Sequence, residues 1–113
     1  MAKERPIHRP TRRSEYRIIA GSTQAEKGWR DLVSTQRNLM VDVWEFLTTT
    51  PLEHTPTNYP LRGELGLVTR NGVTYTRWQH KPSQGSGARI WFYVEADNVY
   101  LERVHTHHPK ETL

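Results

Sequence analysis

The sequence predicts an α+β domain: an N-terminal strand, a two-helix hairpin, then an antiparallel four-stranded meander sheet. Three observations carry this. Apolar residues recur with a helical period from Ala25 to Leu47, the period changes to two after Pro60, and the pairs Asn71-Gly72 and Asp97-Asn98 punctuate the second half. Helices early and strands late give segregated rather than alternating elements.

Tyr16 to Ala20 reads as a short first strand, ended by Gly21. Thr23 followed by Glu26 fits a capping box, with Ser22 as a rival N-cap. Ala25, Trp29, Leu32, Val33, Leu39, Met40, Val43, Trp44 and Leu47 then line one helical face. The polar run Ser34-Thr35-Gln36-Arg37-Asn38 interrupts this stripe, which splits it into two helices folded back on each other. The second helix stops in Thr48-Thr49-Thr50-Pro51, because proline cannot continue it. Pro51 to Pro60, with three prolines, reads as an extended loop. Leu65–Arg70 and Val73–Lys81 flank Asn71-Gly72, a strong hairpin signal. After a flexible turn over 82–87, Ala88–Ala96 and Val99–His105 flank Asp97-Asn98 as a tight turn.

Composition bounds the function. The 113 residues make one domain, and four Trp, five Tyr and two Phe offset a modest apolar content. Cysteine is absent, which excludes disulfides and thiolate metal sites and fits a reducing compartment. No apolar run approaches the ~20 residues that span a bilayer, and Ile18-Ile19-Ala20 is too short for a signal-peptide core. A soluble, cytoplasmic protein without a membrane partner is expected. Residues 1–17 hold six basic and two acidic side chains, so they account for the whole net charge of +4. A basic tail over 1–15 therefore precedes a domain over 16–113. It could track phosphates or an acidic protein, while Pro6 and Pro10 favour plain disorder.

Strand alternation assigns faces. Thr74, Thr76, Trp78 and His80 share one face, and Tyr75, Arg77, Gln79 and Lys81 the other. In the following strand Ile90, Phe92 and Val94 must face the helices, leaving Arg89, Trp91, Tyr93 and Glu95 opposite. Cations interleaved with aromatics suit single-stranded RNA, whose backbone is anionic and whose unpaired bases stack. An ordinary solvated sheet face reads equally well from the pattern alone. A two-residue turn at Asp97-Asn98 places Ala96 opposite Val99 and Arg89 opposite Thr106, between His105 and His107.

Gly87-Ala88-Arg89-Ile90-Trp91-Phe92-Tyr93-Val94-Glu95, the turn, and Val99-Tyr100-Leu101-Glu102-Arg103-Val104 resemble the C-terminal hairpin of RelE-like toxins of toxin–antitoxin systems. Pro60-Leu61-Arg62-Gly63-Glu64-Leu65 resembles the Leu-Arg-Gly segment that follows that family's helical hairpin, and the likeness spans roughly Tyr16 onward. The resemblance implies an endoribonuclease that cleaves mRNA, free or on the ribosome, and is neutralised by a cognate antitoxin. It implies attack of a ribose 2′-OH on its own 3′-phosphate, with neither metal nor cofactor. Arg89 falls where the family holds the scissile phosphate, and Arg77 and Lys81 where it places basic residues on the substrate. His107 and His108 fall where the family carries a catalytic Arg, His or Tyr. Tyr75, Gln79, Trp91, Tyr93, His105 and Lys110 complete the set as substrate-binding residues. Histidine suits either acid or base near neutrality. His105, His107 and His108 could alternatively hold a transition metal if His80 or Glu102 joined them. The ParE-like relatives, which poison DNA gyrase without catalysis, and a silent antitoxin-binding module are the alternative functions.

Overall fold

The computed structural model describes residues 4–7, 10, 15–85 and 87–107. The order is β1 (Arg17–Ala20), α1 (Thr23–Thr35), α2 (Arg37–Thr49), β2 (Asn58–Pro60), a 3-10 turn (Gly63–Gly66), β3 (Leu67–Arg70), β4 (Val73–Thr76), β5 (Trp78–His80), β6 (Arg89–Glu95) and β7 (Asn98–His105). The fold class is α+β as expected. Ser22, not Thr23, caps α1, its hydroxyl accepting from the Ala25 N–H at 3.0 Å. Gln36 alone separates the helices, and Trp29 meets Trp44 edge-on at 6.3 Å across the reversal. No helix among the described residues is long and apolar enough to cross a membrane.

The sheet departs from a four-stranded meander. Five strands run in the order β1-β7-β6-β5-β2, with β1 parallel to β7, while β3 and β4 pair only with each other. The stretch from Val73 to Lys81 is interrupted at Arg77. Its N–H donates to the Gly66 carbonyl and its carbonyl accepts from the Leu61 N–H, so both backbone groups leave the ladder there. The chain thereby passes from the small sheet into the large one. Strand β2 lies inside the proline-rich segment read as loop. At a sheet edge Pro60 costs no ladder bond, so that segment pairs with β5 through Asn58↔His80 and Pro60↔Trp78.

Two turns contrast. Asn71 and Gly72 both have positive φ, as the hairpin signal requires. The last turn sits one residue earlier than expected: Glu95 pairs with Asn98, and Ala96 takes the left-handed conformation at φ 53.

Ile90 and Phe92 of β6 and Val99, Leu101 and Val104 of β7 form the core with Ala25, Leu32, Met40, Val43 and Leu47 of the helices. Trp78 stacks on Phe92 at 6.3 Å, so that face is as the alternation reads it. Helix α1 lies close on β7 because residue 28 is glycine: a Cβ there would fall 2.3 Å from the Val104 carbonyl oxygen. His80 is buried on this face, stacked on Phe46 at 4.9 Å. The Asn58 amide donates to the Pro51 and Glu53 carbonyls at 2.9 and 2.8 Å, so its oxygen accepts from His80 Nδ1 at 3.2 Å. Burial lowers the His80 pKa from 6.5 to about 4.

Two outcomes follow. Gly28→Ala should destabilise the fold by roughly 2–4 kcal/mol in chemical denaturation, since backbone must move to admit one methyl group. The unfolded chain protonates His80 near pH 6.5 and the native one only near 4. Stability from the neutral ring is therefore complete above 6.5 and lost as pH falls toward 4, by about 3 kcal/mol. His80→Leu should flatten that part of the profile relative to wild type; parallel profiles would exclude His80 as its source.

Candidate functional site

The site begins with an irregularity in β7. Trp91 pairs with Arg103 but Phe92 pairs with Leu101, so Glu102 is an extra residue in a β-bulge. Leu101 and Val104 both face the core, which sends the two residues between them, Glu102 and Arg103, to the opposite face together. A bulge thus sets a carboxylate beside a guanidinium on one surface. Helix α1 secures it: Ser22 Oγ donates to the Glu102 carbonyl at 2.9 Å, and the Gln24 side chain donates to Val104 O at 2.8 Å and accepts from Val104 N at 3.0 Å. Strand β1 reaches only to Leu101, and these side chains continue its work along β7.

From the other direction comes Arg77. Its Nε and Nη2 donate to the two Glu102 oxygens at 2.6 and 3.0 Å, and Nη1 donates to the Leu65 carbonyl at 2.9 Å. Its guanidinium also lies 5.4 Å above the Trp91 ring. Arg70, from the end of β3, adds a third donor to Glu102 at 2.9 Å. Arg103 is exposed and makes no side-chain ion pair or hydrogen bond among the described residues. A cleft of about 310 Å³ opens here, lined by Ser22, Gln24, Arg70, Arg77, Glu102 and Arg103. Three cations around one carboxylate leave it net positive.

Beside the cleft the rings of Tyr75, Tyr93 and Tyr100 stack in series, at 4.8 and 5.1 Å. Tyr75 donates to Glu95, which pushes the Tyr75 hydroxyl up to about 12. Burial raises the Tyr93 pKa, with Arg70 acting against it. Both hydroxyls therefore stay protonated at neutral pH.

The expected residues distribute unevenly. Arg77 lines the cleft, and Tyr75 and Tyr93 flank it. Gln79 and Trp91 share its face but are buried. The indole N–H donates to Gln79 Oε1 and the Gln79 amide to the Tyr59 hydroxyl, both at 2.9 Å, so their polar groups serve the sheet. Arg89 is 7 % exposed, so it does not lie on an open surface as the alternation suggested. Along β6 this face is packed: Tyr75 of the β3–β4 hairpin stacks on Tyr93, and Trp91 is itself buried. Arg89 also pairs with His105, not Thr106, because the early turn and the bulge each shift the register. The His105 ring contacts Trp91 edge-on at 4.6 Å. His107 is exposed beyond the strand, and Lys81 lies apart, over the Tyr59 ring at 5.3 Å. His108 and Lys110 lie outside the described residues. Of the two further ligands considered, His80 sits on the core face away from His105, and Glu102 is engaged by Arg77 and Arg70. Among the described residues no group of three His, Cys, Asp or Glu side chains is placed to hold a metal ion.

Sequence pattern passed over Arg70, Arg103 and the role of Glu102. One signal was available: the apolar positions Val99, Leu101 and Val104 slip by one residue in their alternation, as a bulge demands. No family model, curated protein or solved structure matches the chain in comparisons with known proteins.

The two arginines on Glu102 differ in burial, with side chains 16 % and 49 % exposed for Arg77 and Arg70. Arg77→Ala should therefore cost about 3 kcal/mol by stranding a buried carboxylate. Arg70→Ala should cost less than about 1 kcal/mol. Urea unfolding of the two variants checks this; equal losses would mean that the two contacts carry equal weight.

Proposed function

We propose that the chain is a metal-independent endoribonuclease of the RelE-like kind, the toxin of a toxin–antitoxin pair, cleaving mRNA and restrained by a cognate antitoxin. One observation carries the reading. Arg70, Arg77 and Arg103 converge with Glu102 in a single cleft, next to stacked tyrosines and on the strand that leads to His105 and His107. Transesterification at a ribose phosphate needs cations for a pentacoordinate phosphorane, a base for the 2′-OH and an acid for the departing 5′-oxygen. The cations and a carboxylate line the cleft, and the strand that carries Glu102 leads on to His107. What supports the resemblance is the order strand, two helices and terminal antiparallel hairpin, with β5, β6 and β7 as antiparallel neighbours.

Arg103 and Arg70 are the cations most open to a phosphate, and Arg77 fixes their surroundings. Arg89, buried at the start of β6 with its guanidinium donating to the Ala88 carbonyl, meets substrate less directly. His107, with His108 next to it in sequence, supplies the acid.

Purified protein should cut single-stranded RNA in excess EDTA and leave 2′,3′-cyclic phosphate and 5′-hydroxyl ends. Arg103→Ala, at an exposed position, should remain folded and lose about 10²-fold in kcat, the scale of one transition-state donor. Abolition of cleavage by EDTA with rescue by Mg²⁺ or Zn²⁺ would overturn the reading. So would gyrase-linked DNA breaks without new RNA ends on induction in a bacterial host.

A further inference from the structure

We infer that Glu102 is the general base of this cleft, taking the proton from the attacking 2′-hydroxyl. The inference deepens the ribonuclease reading and rests on it, for it assigns to a residue outside the histidine cluster the step that the cluster would otherwise share.

The placement argues for it. A regular strand would alternate sides at 101, 102, 103 and 104, and Arg103 would then point into the core with its charge unmet. The bulge instead puts Glu102 and Arg103 on the same face, next to each other in sequence. One of these is a tethered carboxylate and the other a cation with no side-chain partner among the described residues. A diester phosphorus drawn to Arg103 therefore arrives beside a fixed carboxylate. Among the described residues Glu102 is the only carboxylate lining the cleft, and its side chain is 7 % exposed.

Its restraint is the second argument. An ionised carboxylate offers about four lone-pair positions. Arg77 Nε takes one on Oε1, and Arg77 Nη2 and Arg70 Nη2 take two on Oε2. Oε1 thus keeps a position for a hydroxyl proton, and the carboxylate cannot rotate away from it. Arg70, exposed by about half, can follow the phosphate without releasing the bidentate hold of Arg77. The step balances simply. The 2′-O–H proton passes to Glu102 Oε1, the 2′-oxygen forms a bond to phosphorus, and the P–O5′ bond breaks. The 5′-oxygen takes a proton from a histidine beyond the strand end, leaving a 2′,3′-cyclic phosphate.

A base acts on the nucleophile, so its loss cannot be offset by a better leaving group, whereas the loss of an acid can. The test compares a diribonucleotide-containing oligonucleotide with the same sequence bearing a bridging 5′-phosphorothiolate, a leaving group that needs no proton. Glu102→Gln should lower kcat by about 10²-fold on both substrates with KM nearly unchanged. His107→Ala serves as the contrasting case, losing activity on the oxygen ester and recovering on the thiolate. Should the Gln variant fail to fold, Glu102→Asp keeps the charge but draws the carboxylate back by one methylene from the arginines and the 2′-hydroxyl, and it should lower kcat by a similar factor on both substrates. Wild-type kcat in either folded variant, or a defect that the thiolate substrate repairs, would overturn the assignment of Glu102 while leaving the ribonuclease reading intact. Absence of cleavage by the wild-type protein itself, with ribosomes present or absent, would remove that reading and this inference with it.

Discussion

The bidentate contact between Arg77 and Glu102 is the constraint on which the second face of this molecule depends. Arg77 stands where the chain leaves the two-stranded sheet for the five-stranded one, and Glu102 stands in the bulge of β7. Joining them folds the β3–β4 hairpin over β6, which brings Tyr75 onto Tyr93 and the guanidinium onto Trp91. Ion pairs seldom dominate a fold, because desolvation offsets much of their attraction. Here both side chains are mostly buried and three donors meet one carboxylate, so losing either partner leaves a charge that water reaches poorly.

The two faces of the large sheet are built on different principles. Toward the helices the contacts are apolar and local geometry is set by close approach, as at Gly28 beneath Val104. The polar groups there, Asn58 and His80, are satisfied by one another and by loop carbonyls. Toward the hairpin the layer is polar and aromatic, held by directional bonds that fix orientation as well as distance. Orientation is what a reacting centre requires, and it is the second face that carries the cleft.

Much of this was legible in the residues. Helical period, the Asn71-Gly72 turn and the alternation Ile90-Phe92-Val94 located the helices, the small hairpin and the core face, because each reflects a repeat that local chemistry imposes. Pattern failed where tertiary contacts outweighed it. Arg77 breaks a strand that β-propensity would continue, since its backbone groups find partners at Gly66 and Leu61. Ala96 adopts the left-handed conformation, although aspartate and asparagine, the residues after it, have the higher intrinsic preference for it. Arg89 was read as open because alternation reports which side a residue is on, not whether something covers that side. Alternation put Arg77, Tyr75 and Tyr93 on the face of the cleft, but it also gathered Lys81, which lies over Tyr59, and Arg89, which is buried, while it passed over the acidic member and two of the arginines. They come from a bulge and from a second sheet, and neither follows from counting by two.

The side-chain amide of Gln24 has a consequence for how this sequence can vary. It presents a donor and an acceptor to the backbone of Val104 in the manner of a neighbouring strand. Glutamate has no donor to offer, lysine has no acceptor, and asparagine is a methylene too short. A residue that solvent reaches freely is thus held to one identity by hydrogen bonding instead of by packing. Among descendants of this chain, drift at position 24 would be narrower than its exposure suggests, because burial alone does not register a side chain that stands in for a strand.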